Sequence, residues 1–198
     1  MKIDASFLRR ALPLLLAPVL SSAPVAAMAA LAVGADAPDF TAQAALGGKT
    51  FTFSLAQALK KGPVVLYFYP KAFTKGCTIE AHNFAEASEK FAALGATLIG
   101  MSNDDIETLK EFSVKECRNK FAVAADAGAH IMKQYDAVLT LLPNTADRIS
   151  YVISPEGRVI YVYSSLSPDN HVENTLKAVR DWHAAVKAPE GNDGQVSY

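Results

Sequence analysis

The chain has 198 residues, a length that suggests a single domain. Its formal net charge is −1 and 20% of its residues are charged, so it has neither a basic face for nucleic acid nor an acidic tail. Hydrophobic residues make up 51% of the chain, which is enough for a sizeable core.

The N-terminus has the features of a secretory signal. Lys2, Arg9 and Arg10 form a positive region, an apolar stretch with two prolines follows over 11–20, and residues 27–29 (Ala-Met-Ala) fit a cleavage site. The apolar stretch is too short to span a bilayer, so an uncleaved membrane anchor is the weaker alternative. The Arg9-Arg10 pair also allows a twin-arginine signal, although the residues after it are not the usual ones.

A working signal at 1–29 would leave a mature domain over 30–198. The protein would then be exported, to a bacterial periplasm in our interpretation, with no stable membrane association after cleavage. Thiols can be oxidised in that compartment, so the two cysteines could form a disulfide.

The first half of the mature chain alternates between strand-like and helix-like patterns. Residues 32–40 are a loop, 51–53 a short strand, 55–59 a helical turn, and 64–69 (VVLYFY) a strand buried on both faces. From Cys77 to about Leu94 the apolar residues follow helical spacing, and Gly95 ends the helix.

The second half continues the alternation. Residues 96–102 form a second buried strand, and Asp104 or Asp105 caps a helix that starts near Ile106. A strand at 121–126, a short helix at 129–135, a hairpin over 149–164 and a helix capped by Asn170 complete the order. The pattern predicts an α/β fold with a mixed central sheet flanked by helices.

Several kinds of functional site are missing from the sequence. The chain has no Gly-rich phosphate loop, no nucleophile elbow and no C-x-x-C dithiol. The four histidines (82, 130, 171 and 183) are scattered without a ligand pattern, so we predict no metal site.

Cys77 is the most informative residue. It stands at a loop-to-helix junction, where unpaired backbone N–H groups and the positive end of the helix dipole stabilise a thiolate. A thiolate is a nucleophile, and peroxides oxidise it first to a sulfenic acid. The alternative is an inert buried thiol, but Lys75, Gly76 and Thr78 around Cys77 do not form an apolar run.

The stretch from Pro70 to Cys77 matches P-x-x-x-T-x-x-C, the signature of peroxiredoxins. The sequence around it (FYPK…T-x-G-C-T-x-E) resembles that of the peroxiredoxin Q group, also called bacterioferritin-comigratory proteins, of the AhpC/TSA-like family. The resemblance continues through GMSNDD and DRISYVISPEGRVIYVY to the final helix. It implies a thioredoxin-like fold and thiol-dependent peroxidase activity.

The resemblance also assigns roles around the thiol. Pro70 ends the strand and shields the pocket, and the Thr74 hydroxyl hydrogen-bonds the peroxide and the thiolate. Arg148 holds the thiolate and polarises the O–O bond, and Glu80 orients Arg148. The alternatives are a solvated strand-end charge for Arg148 and a helix-surface carboxylate for Glu80.

Cys117 is the candidate resolving cysteine. Many relatives carry that cysteine five residues after the peroxidatic one, where this chain has His82. Others place it in the helix after the second core strand, directly after the phenylalanine, where this chain has Ser113 and then Cys117 one turn later. Because a disulfide needs Cα atoms within about 7 Å, local unwinding would be required. The alternative is a passive thiol.

We therefore expect a peroxiredoxin that reduces hydrogen peroxide and organic hydroperoxides, with a thioredoxin-like or other dithiol reductant and no cofactor. A one-cysteine enzyme resolved by an external thiol is one alternative. An exported thioredoxin-fold binding or chaperone protein is another. No cysteine follows Cys117, which disfavours an intersubunit disulfide, so we expect a monomer.

Overall fold

The computed structural model describes residues 30–188. The predicted signal at 1–29 and the end of the predicted domain at 189–198 lie outside these residues. Helices in the described range are α1 (Leu55–Leu59), α2 (Lys75–Ala93), α3 (Ile106–Lys115), α4 (His130–Gln134) and α5 (His171–Lys187). Strands are β1 (Thr41–Leu46), β2 (Lys49–Ser54), β3 (Val64–Phe68), β4 (Thr97–Ser102), β5 (Ala122–Ala125), β6 (Val138–Leu139), β7 (Leu142–Ala146), β8 (Ile149–Ile153) and β9 (Val159–Ser164).

Seven strands form one mixed sheet in the order β2-β1-β5-β4-β3-β8-β9. The central strands β3, β4 and β5 run parallel, and the pairs toward both edges are antiparallel. Strands β6 and β7 form a separate two-stranded sheet. The predicted α/β fold with a mixed sheet is confirmed.

The sheet is buried on both faces. Along β3 the side chains alternate: Leu66 and Phe68 join a core with residues of α1 and α4, whereas Val65 and Tyr67 join a second core with residues of α2, α3 and α5. This alternation explains why residues 64–69 are apolar without interruption, because a strand covered on both faces has no solvent side. The protein therefore has three layers.

Most of the predicted elements are confirmed with boundaries shifted by one or two residues. Asp105 is the N-cap of α3, and its carboxylate accepts from the Thr108 N–H at 2.8 Å. Helix α2 begins at Lys75, two residues before Cys77. Asn170 caps α5 through a left-handed backbone conformation, without a side-chain hydrogen bond.

The sequence analysis missed β1 and the β6–β7 hairpin. Three of the six residues of strand β1 (TAQAAL) are alanine, which has little strand propensity, and β1 is a strand because β2 and β5 flank it. The β6–β7 hairpin is short, and Leu141 at its turn is 90% exposed, so it carries little of the hydrophobic signal that marks core strands.

Antiparallel pairing of β8 with β3 places two distant parts of the chain together. Phe68, the last residue of β3, pairs with Ile149, the first residue of β8. The residue before β8, Arg148, therefore lies where β3 leaves the sheet and the loop to α2 begins. None of the helices formed by residues 30–188 is long and apolar enough to cross a membrane.

Leu66 provides a test of this core. The side chain is fully buried in β3, so Leu66→Ala should lower the free energy of unfolding by about 2–5 kcal/mol. Leu141→Ala removes the same atoms at an exposed turn and should change it by less than about 0.5 kcal/mol. Urea unfolding followed by circular dichroism measures both, and equal effects would contradict the layer assignment.

Candidate active site

The loop between β3 and α2 is anchored to β4. The Tyr69 N–H donates to the Met101 carbonyl at 3.0 Å, and the Ala72 N–H donates to Asp104 Oδ2 at 2.8 Å. Phe73 then takes a left-handed φ of 62°, which is uncommon for a bulky residue and turns the chain sharply into the helix. Pro70 is half-buried in this loop. The loop therefore holds a defined shape before α2 starts.

Cys77 lies in the first turn of α2. The first intrahelical bond runs from the Thr78 N–H to the Thr74 carbonyl at 2.9 Å, so the N–H groups of Lys75, Gly76 and Cys77 precede the helical ladder. The Cys77 side chain is 1% exposed. The predicted loop-to-helix position of this thiol is confirmed.

Thr74 is the N-cap of α2 and is exposed. Its hydroxyl donates to the Lys71 carbonyl at 2.9 Å and does not cap the helix. Its oxygen keeps acceptor capacity, since a hydroxyl has two lone pairs. The structure thus places Thr74 at the entrance of the site. Its hydroxyl proton is donated within the loop.

Arg148 bridges the thiol and a buried carboxylate. Its Nη2 donates to Cys77 Sγ at 3.4 Å, its Nη1 contacts Glu80 Oε2, and its Nε donates to the Leu166 carbonyl at 2.9 Å. Arg148 is 4% exposed and Glu80 is fully buried. Three fixed contacts hold the planar guanidinium, so its position against the sulfur is well defined.

Glu80 is one turn after Cys77 on the buried side of α2. Burial raises the pKa of Glu80 to about 8, although the charge of Arg148 opposes this rise. Its second oxygen, Oε1, lies 3.6 Å from His171 Nδ1. His171 is also fully buried, and burial lowers its pKa.

Cys117 lies two residues after the end of α3 and is fully buried. Its N–H donates to the Phe112 carbonyl at 3.0 Å. Burial raises the pKa of the Cys117 thiol, and the nearby Glu116 carboxylate raises it further. Both cysteines are free thiols in this structure. Cys117 is therefore a neutral thiol wherever it stays buried.

Aromatic side chains share the core with both thiols. Tyr67 stacks on Phe84 with ring centroids 4.4 Å apart, and Tyr69 stacks on Phe112 at 5.5 Å. Phe73 meets Phe112 edge-on at 5.2 Å, which links the active-site loop to α3. A movement of α3 would therefore also displace the loop that positions Cys77.

Two ion pairs and one histidine–carboxylate contact join α2 to the segment that carries Cys117. We name them the latch pairs: His82–Glu116 at 2.8 Å, Glu86–Arg118 at 3.3 Å and Glu89–Lys120 at 3.0 Å. The α2 members are spaced by four and three residues, which places them on one helix face. Each pair is partly or largely exposed, so each contributes only about 0–1 kcal/mol.

No group of three or more His, Cys, Asp or Glu side chains within residues 30–188 is arranged to hold a metal ion. The polar groups at the site (the thiol, the guanidinium and the helix N–H groups) suit binding and polarisation of a small oxygen species.

A profile of the AhpC/TSA family matches residues 33–162. The chain belongs to this family. Among curated members it is 36% identical over 149 residues to the chloroplastic peroxiredoxin Q of Triticum aestivum, covering 75% of this chain and 66% of that protein. The chain thus spans slightly less than two thirds of the length of that relative.

Two solved structures have a similar fold. Peroxidoxin BcpB from Mycobacterium tuberculosis is 30% identical with a TM-score of 0.68, covering 75% of this chain and 96% of that one. PrxQ from Xylella fastidiosa, solved as a mutant, is 21% identical with a TM-score of 0.68, over 77% and 97% of the two chains. The first confirms the predicted family, and the second agrees in fold alone.

The structure brings most of the predicted site residues together. Cys77, Glu80 and Arg148 are in contact, Pro70 and Thr74 lie in the loop before them, and Cys117 shares an apolar core with Cys77.

The sequence analysis did not place Asp104 or His171 near the site. The sequence suggests Asp104 only as a helix cap, but its carboxylate instead anchors the active-site loop. His171 belongs to no metal-ligand pattern and so did not stand out. A signal that could have found it is its place at the start of a predicted helix, directly after the candidate cap Asn170.

Gly76 provides a test of the site geometry. A Cβ at this position would lie 3.0 Å from Arg148 Nη2, whereas the backbone of Gly76 is ordinary helix. Gly76→Ala should change the free energy of unfolding by less than about 1 kcal/mol, because the better helix propensity of alanine offsets the cost of shifting the guanidinium slightly. The methyl displaces the guanidinium, so the reaction of Cys77 with hydrogen peroxide should slow by about 10- to 100-fold in stopped-flow measurements. A wild-type rate would show that the Arg148–Cys77 contact is unimportant.

Proposed function

We propose that the protein is a thiol-dependent peroxidase that reduces hydrogen peroxide and organic hydroperoxides through Cys77. The observation that carries the proposal is the 3.4 Å contact between Arg148 Nη2 and Cys77 Sγ at the N-terminus of α2. A buried guanidinium and the free N–H groups of a first helical turn both stabilise negative charge. Membership of the AhpC/TSA family supports the same chemistry.

This arrangement accounts for the chemistry of the first step. The Cys77 thiolate attacks the terminal peroxide oxygen, an S–O bond forms and the O–O bond breaks. The leaving oxygen takes a proton and departs as water or alcohol, and the sulfur becomes a sulfenic acid. Arg148 and the N–H groups of Gly76 and Cys77 stabilise the charge that develops on the two oxygens.

The loop residues complete the proposed site. Thr74, at its exposed edge, hydrogen-bonds the incoming peroxide, for which its hydroxyl must turn away from the Lys71 carbonyl. Pro70 has no N–H to offer water and narrows the entrance. Glu80 fixes the orientation of Arg148 through the Oε2 contact.

In the second step Cys117 resolves the sulfenic acid. Its sulfur attacks Cys77 Sγ, a disulfide forms and water leaves. Because Cys117 is fully buried and its pKa is raised, the segment after α3 must first open and expose the thiol. The latch pairs are weak enough to break in such an opening. A thioredoxin-like or other external dithiol then reduces the disulfide by thiol exchange.

The burial of Cys117 also favours a second candidate, a one-cysteine enzyme. In that case the segment after α3 stays closed, and an external thiol attacks the Cys77 sulfenic acid directly. The two candidates share the first step and differ in which thiol attacks the sulfenic acid.

The proposal also covers the cellular location and the oligomeric state of the protein. We place the protein in the periplasm or another exported location, on the basis of the signal features in residues 1–29. The curated relatives are named as chloroplastic, which is a property of those proteins. We propose a monomer, because an intramolecular disulfide needs no second subunit.

Cys77→Ser tests the first step. It should abolish rapid peroxide consumption while leaving the thermal unfolding midpoint nearly unchanged, since the exchange is almost isosteric. The matched control is Cys117→Ser, a second buried cysteine, which should consume one equivalent of peroxide at close to the wild-type rate. Substantial peroxidase activity in Cys77→Ser would refute the mechanism.

Cys117→Ser also tests the second step. With a dithiol reductant its turnover should fall, and Cys77 should over-oxidise to sulfinic acid more readily than in the wild type. In the wild type, one equivalent of peroxide should remove two hydrogens from the protein mass and give a Cys77–Cys117 peptide on mapping. Wild-type turnover in Cys117→Ser, together with an added oxygen in the wild-type mass, would identify a one-cysteine enzyme.

A further inference from the structure

Asp104 lies in the connection between β4 and α3 and contacts two other segments. Its Oδ2 accepts from the Ala72 N–H at 2.8 Å and from the Ser102 hydroxyl at 2.9 Å. Ser102 is the last residue of β4 and is fully buried, and its hydroxyl oxygen accepts from the Asp104 N–H at 3.3 Å. One carboxylate oxygen therefore joins the end of β4 to the active-site loop, which we define as residues 69–74.

The Asp104 contact fixes the middle of the active-site loop. The Tyr69 N–H holds the start of the loop to a carbonyl of β4 at 3.0 Å, and the loop ends where α2 begins at Lys75. Ala72 lies between these two points, and its side chain is 5% exposed. Without the contact to Asp104, the chain between the sheet and the helix would lose its central support.

The residues directly after this support have a conformation that needs holding. Phe73 has a φ of 62°, which is unfavourable for a bulky side chain and persists only where the surroundings enforce it. Its ring packs edge-on against Phe112 at 5.2 Å. Thr74 follows as the N-cap of α2, and Cys77 lies three residues later. The position of the Thr74 hydroxyl relative to the sulfur therefore depends on how this turn is held.

The chemistry of the contact suits a rigid support. A hydrogen bond from a backbone N–H to a carboxylate is charge-assisted and is roughly twice as strong as one to a neutral acceptor. Asp104 is half-buried, so water competes for its oxygen less than at an exposed site. The Ser102 hydroxyl donates to the same oxygen and so fixes the orientation of the carboxylate.

The neighbouring aspartate has a different task. The carboxylate of Asp105 accepts from the Thr108 N–H and from the Thr108 hydroxyl, both at 2.8 Å, and so caps α3. Asp105 is exposed. Two adjacent residues of the same type thus contact different elements, Asp104 the active-site loop and Asp105 the helix. Asp105 is therefore a matched control for Asp104.

We propose that Asp104 is a positioning residue for peroxide reduction, which holds the active-site loop in the conformation that presents Thr74 and the first-turn N–H groups of α2 to a peroxide at Cys77. It acts through the Ala72 N–H, and so it is not a catalytic residue. This inference rests on the proposed peroxidase function, which supplies its kinetic readout.

Two substitutions of Asp104 test the acceptor role. Asp104→Ala removes the acceptor of both hydrogen bonds, so the loop should loosen and the second-order rate constant with hydrogen peroxide should fall by about 10- to 100-fold. Asp104→Asn keeps a carbonyl oxygen that can accept both bonds, so its rate constant should return to within about 5-fold of the wild type. Stopped-flow measurement of the first peroxide equivalent gives these rate constants.

Alkylation of Cys77 separates positioning from a general loss of structure or of thiolate. Iodoacetamide reacts with the thiolate but does not use the donors that stabilise the two peroxide oxygens. In Asp104→Ala the rate of Cys77 alkylation, followed by peptide mapping, should therefore stay at or above the wild-type rate while the peroxide reaction slows. Asp105→Ala should lower the thermal unfolding midpoint through loss of the cap and change the peroxide rate constant by less than about 2-fold.

Four results would overturn the proposal. They are a wild-type peroxide rate in Asp104→Ala, an equal slowing of peroxide reduction and alkylation in that variant, a slowing in Asp105→Ala as large as in Asp104→Ala, and an Asp104→Asn rate as low as that of Asp104→Ala. The last result would show that the charge, and not the acceptor, is what matters at this position.

Hydrogen exchange at the Ala72 amide separates the inference from the proposed function. In the wild type this N–H should be protected, and in Asp104→Ala it should exchange at least about 10-fold faster, whereas Asp105→Ala should leave it unchanged. If the wild type does not react rapidly with peroxide, the peroxidase proposal fails, and exchange still decides whether Asp104 holds the loop. If the wild type reacts rapidly but Asp104→Ala changes neither exchange nor rate, the peroxidase proposal stands and the role of Asp104 is wrong.

Discussion

The site depends on one buried cation. The Arg148 guanidinium lies between Cys77 Sγ and Glu80 with 4% of its surface exposed, so water screens its charge only weakly. A buried charge is tolerated only when it is paired and hydrogen-bonded, and removing one partner typically costs about 3–5 kcal/mol. The same requirement that stabilises the fold therefore keeps a positive charge against the sulfur.

Further buried polar contacts connect Arg148 to other parts of the structure. Glu80 is paired on one oxygen with Arg148, and its other oxygen faces His171, which in turn is held by Ser150 of β8 and by the Ser165 carbonyl. The charge at the thiol is thus linked to the start of α5 by a chain of buried polar contacts. The polar contacts around Arg148 thus come from parts of the chain that are far apart in the sequence.

The two cysteines have different physical environments. Cys77 lies at a helix N-terminus beside a cation, where a thiolate is stabilised, whereas Cys117 lies in an apolar core beside Glu116, which disfavours one. The structure therefore favours Cys77 as the first nucleophile. The weak latch pairs and the Phe73–Phe112 contact join the Cys117 segment to the site, so opening that segment would disturb both.

The sequence alone determined most of the elements and the position of Cys77 at the start of a helix. The unbroken apolar run at 64–69, the helical spacing after Cys77 and the turn at 155–157 are local patterns, and local patterns reflect local backbone preferences and burial. The P-x-x-x-T-x-x-C string and the polar surroundings of Cys77 were likewise sufficient to predict a nucleophile at a helix start and its family.

Only the tertiary structure decided how the distant groups meet. The strand order and the Phe68–Ile149 register bring Arg148 to Cys77 across 71 residues, and nothing local to either residue encodes that pairing. Alanine-rich β1 is a strand because β2 and β5 pair with it on its two sides. His171 looked like an isolated histidine in the sequence, and its contact with Glu80 exists because α2 and α5 pack side by side over the same face of the sheet. Long-range packing sets such contacts, and it depends on the whole chain at once.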